Sequence, residues 1–139
     1  MISTPVEKAR IQTIYYTERA KSSIADAPFF KLGDIVWGTG FVSIDGQGDV
    51  IFEPIPHDVS QIQGEVFRNK PNKSVINNKI LLSATFPKSM MPTTGSKMLT
   101  TLYQLDDKGN VAIVFLFAPV YTSPNRDINL HAEIEIGDA

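Results

Sequence analysis

No cysteine occurs among the 139 residues of this chain. Disulfides, thiolate zinc sites and cysteine nucleophiles are thereby excluded, and the redox compartment is left open. An excess of positive charge is missing too: 13 Lys and Arg stand against 15 Asp and Glu, a net charge of −2. Neutralising nucleic-acid phosphates needs the opposite balance, so no nucleic-acid partner is expected. The longest uncharged apolar run, Val111 to Tyr121, falls far short of the roughly 20 residues of a spanning helix, so no membrane insertion is expected. Met1 to Arg10 has no apolar core of signal-peptide length, which argues against Sec export. What remains is 42% hydrophobic and 20% charged, the balance of a globular protein. The length fits one domain over residues 1–139, large enough to bury roughly 68–70% of the unfolded chain's surface.

The stretch Lys97 to Pro119 organises the rest. Two apolar runs flank Asp106-Asp107-Lys108-Gly109-Asn110, where Gly109 and Asn110 tolerate positive φ and Asp106 can bond its own backbone. The pattern reads as a β-hairpin. In its second run, Val111, Ile113, Phe115 and Phe117 are expected on one face, with Ala112, Val114, Leu116 and Ala118 on the other. A strand apolar on both faces must be covered on both, which places it inside a sheet.

Elsewhere, Ile11 to Tyr16 reads as a strand. Thr17 reads as the N-cap of an amphipathic helix from Glu18 to about Ala27, with Ala20, Ile24 and Ala27 as its apolar stripe and Pro28 as its stop. Phe29 to Trp37 is expected as a second strand, interrupted at Gly33-Asp34, followed by a small hairpin, Phe41 to Ile44 and Val50 to Phe52, around Asp45-Gly46-Gln47-Gly48-Asp49. One helical turn is expected within His57 to Gly64, then a strand over Glu65 to Arg68. Asn69 to Ser74 reads as an exposed loop and Asn77-Asn78 as a bend. Lys79 to Phe86 alternates as a strand, Pro87 to Gly95 reads as a loop, and Asn129 to Ile136 alternates again, with His131, Glu133 and Glu135 outward. The fold class is α+β, mostly β: an antiparallel sheet or sandwich with one short N-terminal helix.

Chemistry-bearing patterns are few. Asp45 to Asp49 lacks the spaced oxygen ligands and the terminal bidentate Glu of a calcium loop, and reads as a hairpin turn. His57 and His131 have no metal-ligand spacing, so no metal and no cofactor are expected. No nucleophile elbow and no Lys-Ser/Thr after Gly38-Thr39-Gly40 can be found, so neither a serine hydrolase nor a phosphate loop is indicated, and the chain is not read as an enzyme. Arg68, Lys70, Lys73 and Lys79 form a basic cluster, read either as a solvated loop or as half of a polar interface. Tyr15, Tyr16, Phe29, Phe30 and Trp37 are core by default, and interface hot spots wherever they are exposed.

Five stretches in order are similar to one known family. I-Y-Y-T-E-R-A-K-S-S-I-A-D-A, K-L-G-D-I-V-W-G-T-G, G-E-V-F-R, L-L-S-A-T-F-P and L-Y-Q-L-D-D-K-G-N-V-A-I-V resemble segments of the N-terminal attachment domain of bacteriophage tail-collar fibre proteins. The resemblance runs from about Ile11 to Ile136. It departs at Thr100-Thr101, where the family often has Glu-x-Gly. Phe41 to Phe52 looks like an insertion, and no fibre shaft follows Ala139. The resemblance implies a structural virion protein, made in the host bacterial cytoplasm, that joins a tail fibre to the baseplate or serves as a baseplate adaptor. It implies other tail or baseplate proteins as partners and a homo-oligomer, a trimer first. Tyr15, Tyr16, Trp37, Arg68, Lys70 and Lys73 are the expected interface residues. The rival reading is a β-sandwich that binds a surface glycan through Trp37 and the Asp45–Asp49 loop; a small hydrolase ranks last.

Overall fold

A computed structural model describes residues 2–24, 30–90 and 95–135. The elements are β1 (Ile2–Pro5), β2 (Lys8–Ile11), α1 (Thr13–Ser23), β3 (Leu32–Thr39), β4 (Val42–Ile44), β5 (Val50–Phe52), β6 (Gln63–Asn69), β7 (Asn72–Ile76), β8 (Lys79–Phe86), β9 (Met98–Asp106), β10 (Val111–Tyr121) and β11 (Ile128–Glu135). The fold is mostly β with one short helix. A four-stranded sheet in the order β1-β11-β8-β7 faces a five-stranded sheet in the order β2-β10-β9-β3-β6, and the β4–β5 hairpin stands apart. All pairs are antiparallel except β1 with β11. The chain changes sheet at both flanks, from β1 to β2 through Val6-Glu7 and from β6 to β7 through Lys70-Pro71.

Between the sheets Trp37, Phe86, Phe115, Phe117, Ile128 and Leu130 form the main core. The opposite face of the five-stranded sheet carries Val36, Tyr103, Leu105, Val114 and Leu116, and the chain itself covers it. Ile55 is buried there, and Phe41, Val42, Phe52, Val59 and Ile62 pack against the same cluster. The covering segment is pinned by Gln12, a residue only 1% exposed. Its Nε2 donates to Pro56 O at 2.9 Å and its Oε1 accepts from Val59 N at 2.6 Å. A strand apolar on both faces therefore finds both covers within one chain. No second chain is needed to cover this face.

The organising hairpin forms as expected, with Asp106 as its fastening. One carboxylate oxygen of this buried residue accepts from Lys108 N and Asn110 N, at 2.9 and 2.8 Å, and the other from Asn110 Nδ2. Gly109 takes φ +87°, the left-handed region that favours glycine. Strict alternation fails at the start of β10. A register shift between Val111 and Ile113 puts Val111 beside Val114 and Leu116, and Ala112 with the main core. One extra residue opposite the partner strand exchanges the faces, as a β-bulge does. A second shift, between Leu116 and Val120, takes Pro119 out of the ladder it could not donate to.

Several expectations need correction. Residues 11–16 are not a strand: β2 ends at Ile11 and the helix runs from Thr13, so Thr17 is no N-cap and instead donates its hydroxyl to Thr13 O. Tyr15 is the reason, since its ring belongs in the main core and helical geometry delivers it there, overriding local propensity. The buried side of the helix is Tyr15 with half-buried Ile14, Glu18 and Ser22, whereas Ala20 and Ile24 face solvent. At 3.6 residues per turn Ala20 lies about 140° around from Tyr15. The remainder of the expected helix, residues 25–27, and Pro28 and Phe29 lie outside the described residues. β1 went unread; no helical turn forms at 57–64; and the expected loop at 69–74 is largely strand, β7 starting at Asn72. The Asn77-Asn78 bend does form, Asn77 taking φ +56° between β7 and β8.

Candidate functional site

Of the expected interface residues, two are core. Trp37 is fully buried, packed against Phe86 and Phe117, and its Nε1 donates to Asn69 Oδ1 at 3.2 Å. Tyr15 is 3% exposed, edge-on to Phe30 with ring centroids 5.1 Å apart. Burial pushes the Tyr15 phenol above its ordinary range, with nearby Arg19 pulling the other way. Trp37 cannot meet a partner at the surface, and Tyr15 shows only an edge where it lines a surface groove. Tyr16, 36% exposed, stacks edge-on against Tyr15 and is the aromatic of the set that reaches solvent.

The three cations lie together along the crossing from β6 to β7. Arg68 forms a two-pronged bond to Glu65, Nε at 3.2 Å and Nη2 at 3.0 Å. That bond, more than any other influence, raises the guanidinium's pKa. Lys70 is exposed, and Lys73 donates from Nζ to Leu32 O at 2.7 Å. Beneath them Asn69 ties the corner together: it accepts from Trp37 and donates from Nδ2 to Thr85 O at 2.7 Å, while Thr85 Oγ1 donates to Asn129 Oδ1 at 2.7 Å. This polar stitch joins the two sheets where the chain changes between them. It was not legible beforehand, because residues 69–74 carry the composition of a loop.

Two surface grooves border this corner. One, of about 620 Å³, lies on the outer face of the four-stranded sheet, where Asn72, Ser74, Ser83, His131 and Glu133 line it over Leu81. Ser83 stands opposite His131 in register, but no hydrogen bond joins them to each other or to Glu133, so no proton relay is assembled. The other groove, about 400 Å³, lies beside β7 and is lined by Tyr15, Phe30, Leu32, Val75 and Ile80, with Lys31 and Lys73. His57 is exposed in the covering segment, far from His131 in the fold's order.

The Asp45 loop is a closed turn. Asp45 Oδ1 accepts from Gln47 N and Asp49 N, both at 2.9 Å, which commits the carboxylate to its own backbone. Among the described residues no three His, Asp or Glu side chains converge as a metal site. No helix of the described residues is long and apolar enough to cross a membrane. The glycine turn Gly38 to Gly40 serves packing. A Cβ on Gly38 would sit 2.5 Å from Gln63 O, so only glycine lets β3 and β6 approach there. Thr101, one of the two residues that depart from the resembled pattern, donates its hydroxyl to Gly40 O at 2.7 Å. Tyr103 OH donates to Thr39 O at 2.6 Å and accepts from Gln63 N. Burial raises the Tyr103 phenol's pKa, partly offset by that backbone bond.

No protein-family model, curated protein or solved structure matches this chain.

Proposed function

We propose that the protein is a structural component of a bacteriophage tail, joining a tail fibre to the baseplate or acting as a baseplate adaptor. One observation carries the reading. The five stretches that resemble the tail-collar fibre attachment domain fall on α1, β3, β6, β8 and the β9–β10 hairpin. β3, β6, β9 and β10 are strands of the five-stranded sheet, and β8 is an inner strand of the sheet facing it. Gly38 and Gly109, both glycine-dependent, lie inside those stretches. The work of such a module is docking, and its means are surface patches: the cationic β6–β7 corner, exposed Tyr16, and the hairpin tip where Ile44 and Ile51 are 46% and 45% exposed. The glycan reading loses its platform, because Trp37 is enclosed and the Asp45 carboxylate is spent on its own turn.

Size-exclusion chromatography with light scattering, run with and without purified baseplate proteins of the same phage, tests the reading. A stable complex whose formation is weakened by Tyr16→Ala or Lys70→Glu is expected. Co-elution with none of them would overturn it.

A further inference from the structure

β7 is the strand most open to solvent: all of Asn72–Ile76 is exposed, with Val75 at 68% and Ile76 at 57%. Among the described residues it ends its sheet and pairs with β8 alone. In an antiparallel pair alternate residues aim their N–H and C=O away from the partner, so the free flank offers unpaired backbone groups in a row. The other edges of the two main sheets are obstructed. β1 carries Pro5, which cannot donate. On β2, Lys8 and Arg10 are tied down to Phe52 O and Ile55 O, under the covering segment. β6 breaks register between Trp37 and Thr39 and carries the Arg68–Glu65 pair. On β7 only Lys73 stands guard, held on Leu32 O.

The register gives this edge a side-chain pocket as well. Lys73 and Val75 stand opposite Leu82 and Ile80 and so project toward the inter-sheet side, where the 400 Å³ groove lies. Its lining is mostly apolar, with Lys31 and Lys73 at its rim. Among the described residues no carboxylate pairs with Lys31, Lys70 or Lys73.

We propose that β7 is a strand-addition site that receives an extended acidic segment of another protein. Backbone bonds along the free flank would supply affinity, alternate apolar side chains would enter the groove, and carboxylates would meet Lys31, Lys70 and Lys73. Charge selects this occupant over a second copy. Two β7 strands paired antiparallel about Ser74 would place their Lys73 side chains on a ladder diagonal, where like charges repel. Nothing in this site depends on a tail location.

The test uses the full chain, isotope-labelled, with two eight-residue probe peptides, one alternating valine and glutamate and the other valine and lysine. The valine–glutamate peptide is expected to shift the amide resonances of residues 73–76, to slow hydrogen exchange of the alternate amides on the free flank about tenfold or more, and to bind more weakly as salt rises. The valine–lysine peptide is expected to do none of this. Lys73→Glu gives up the exposed bond to Leu32 O, so an unchanged amide spectrum away from β7 checks the fold. It should weaken binding of the valine–glutamate peptide while admitting the other. Val75→Pro should abolish binding of the valine–glutamate peptide by removing a backbone donor. The proposal is overturned by unshifted β7 amides, by equal binding of the two peptides, or by indifference to Lys73→Glu. It is equally overturned by a concentration-dependent dimer that protects the same amides without peptide.

Discussion

Replacing Gln12 by leucine is expected to loosen the cover of the five-stranded sheet while leaving the sandwich in place. Leucine keeps most of the volume and removes every polar contact. Val59 N, half-buried, loses its 2.6 Å acceptor, and Pro56 O loses its 2.9 Å donor. An orphaned buried group costs about 1–3 kcal/mol. Pro56 is exposed, so its carbonyl can turn to water and adds little; a total near 2 kcal/mol follows. In a domain of this size that lowers the melting temperature by roughly 5–10 °C. The loss should be local first. Hydrogen exchange at residues 55–62 should quicken before that of β9 or β10, and sedimentation should show new self-association as Tyr103, Val114 and Leu116 become accessible. A urea titration within about 0.5 kcal/mol of the parent, with the Val59 amide exchanging as before, would refute the reasoning, because the cover would then be held by something other than Gln12.

Phe115, fully buried between the sheets, should cost about 3–5 kcal/mol when cut to alanine; a loss under about 1 kcal/mol in urea would show a core able to close the gap. Gly109→Val should destabilise clearly more than Gly46→Val, since Gly109 has φ +87° while Gly46 has no positive φ and no atom within 4 Å of an added Cβ; equal losses in thermal melts would count against the turn geometry. The Tyr103 phenol has its pKa raised above the ordinary 10.0 by burial, so the unfolded chain loses this proton first as pH rises. Stability from this group is present below pH 10.0 and is lost as pH climbs from there through the folded value. Denaturant melts above pH 10.0 should fall less steeply for Tyr103→Phe than for the parent, and an unchanged slope would contradict the assignment.

Strands with a clean period were legible from residues alone. Ile80, Leu82, Ala84 and Phe86 on β8, and Leu130, Ala132 and Ile134 on β11, face the other sheet as their alternation required. The Asp106 to Asn110 turn was legible for the same reason: its chemistry is local. What resisted reading was set from a distance. Residues 13–16 look β-forming and become helix because Tyr15 has a place in the core. β7 looks like a loop and becomes a strand because β8 offers it a ladder. The bulge at Ala112 exchanged the faces of one end of β10, which no period-2 pattern reveals. Of the interface residues, the cations were placed at the surface and the aromatics mostly were not. Charge is costly to bury whatever the fold, whereas an aromatic ring is settled by packing.

The proposed role is tested most directly by mass spectrometry of phage particles purified from cells that make this chain, with gold-labelled antibody marking its place by electron microscopy. The protein is expected in the particle, in fixed ratio to the baseplate proteins, with label at the junction of tail and fibre. Its absence from purified particles, while it accumulates in infected cells, would contradict the proposed role.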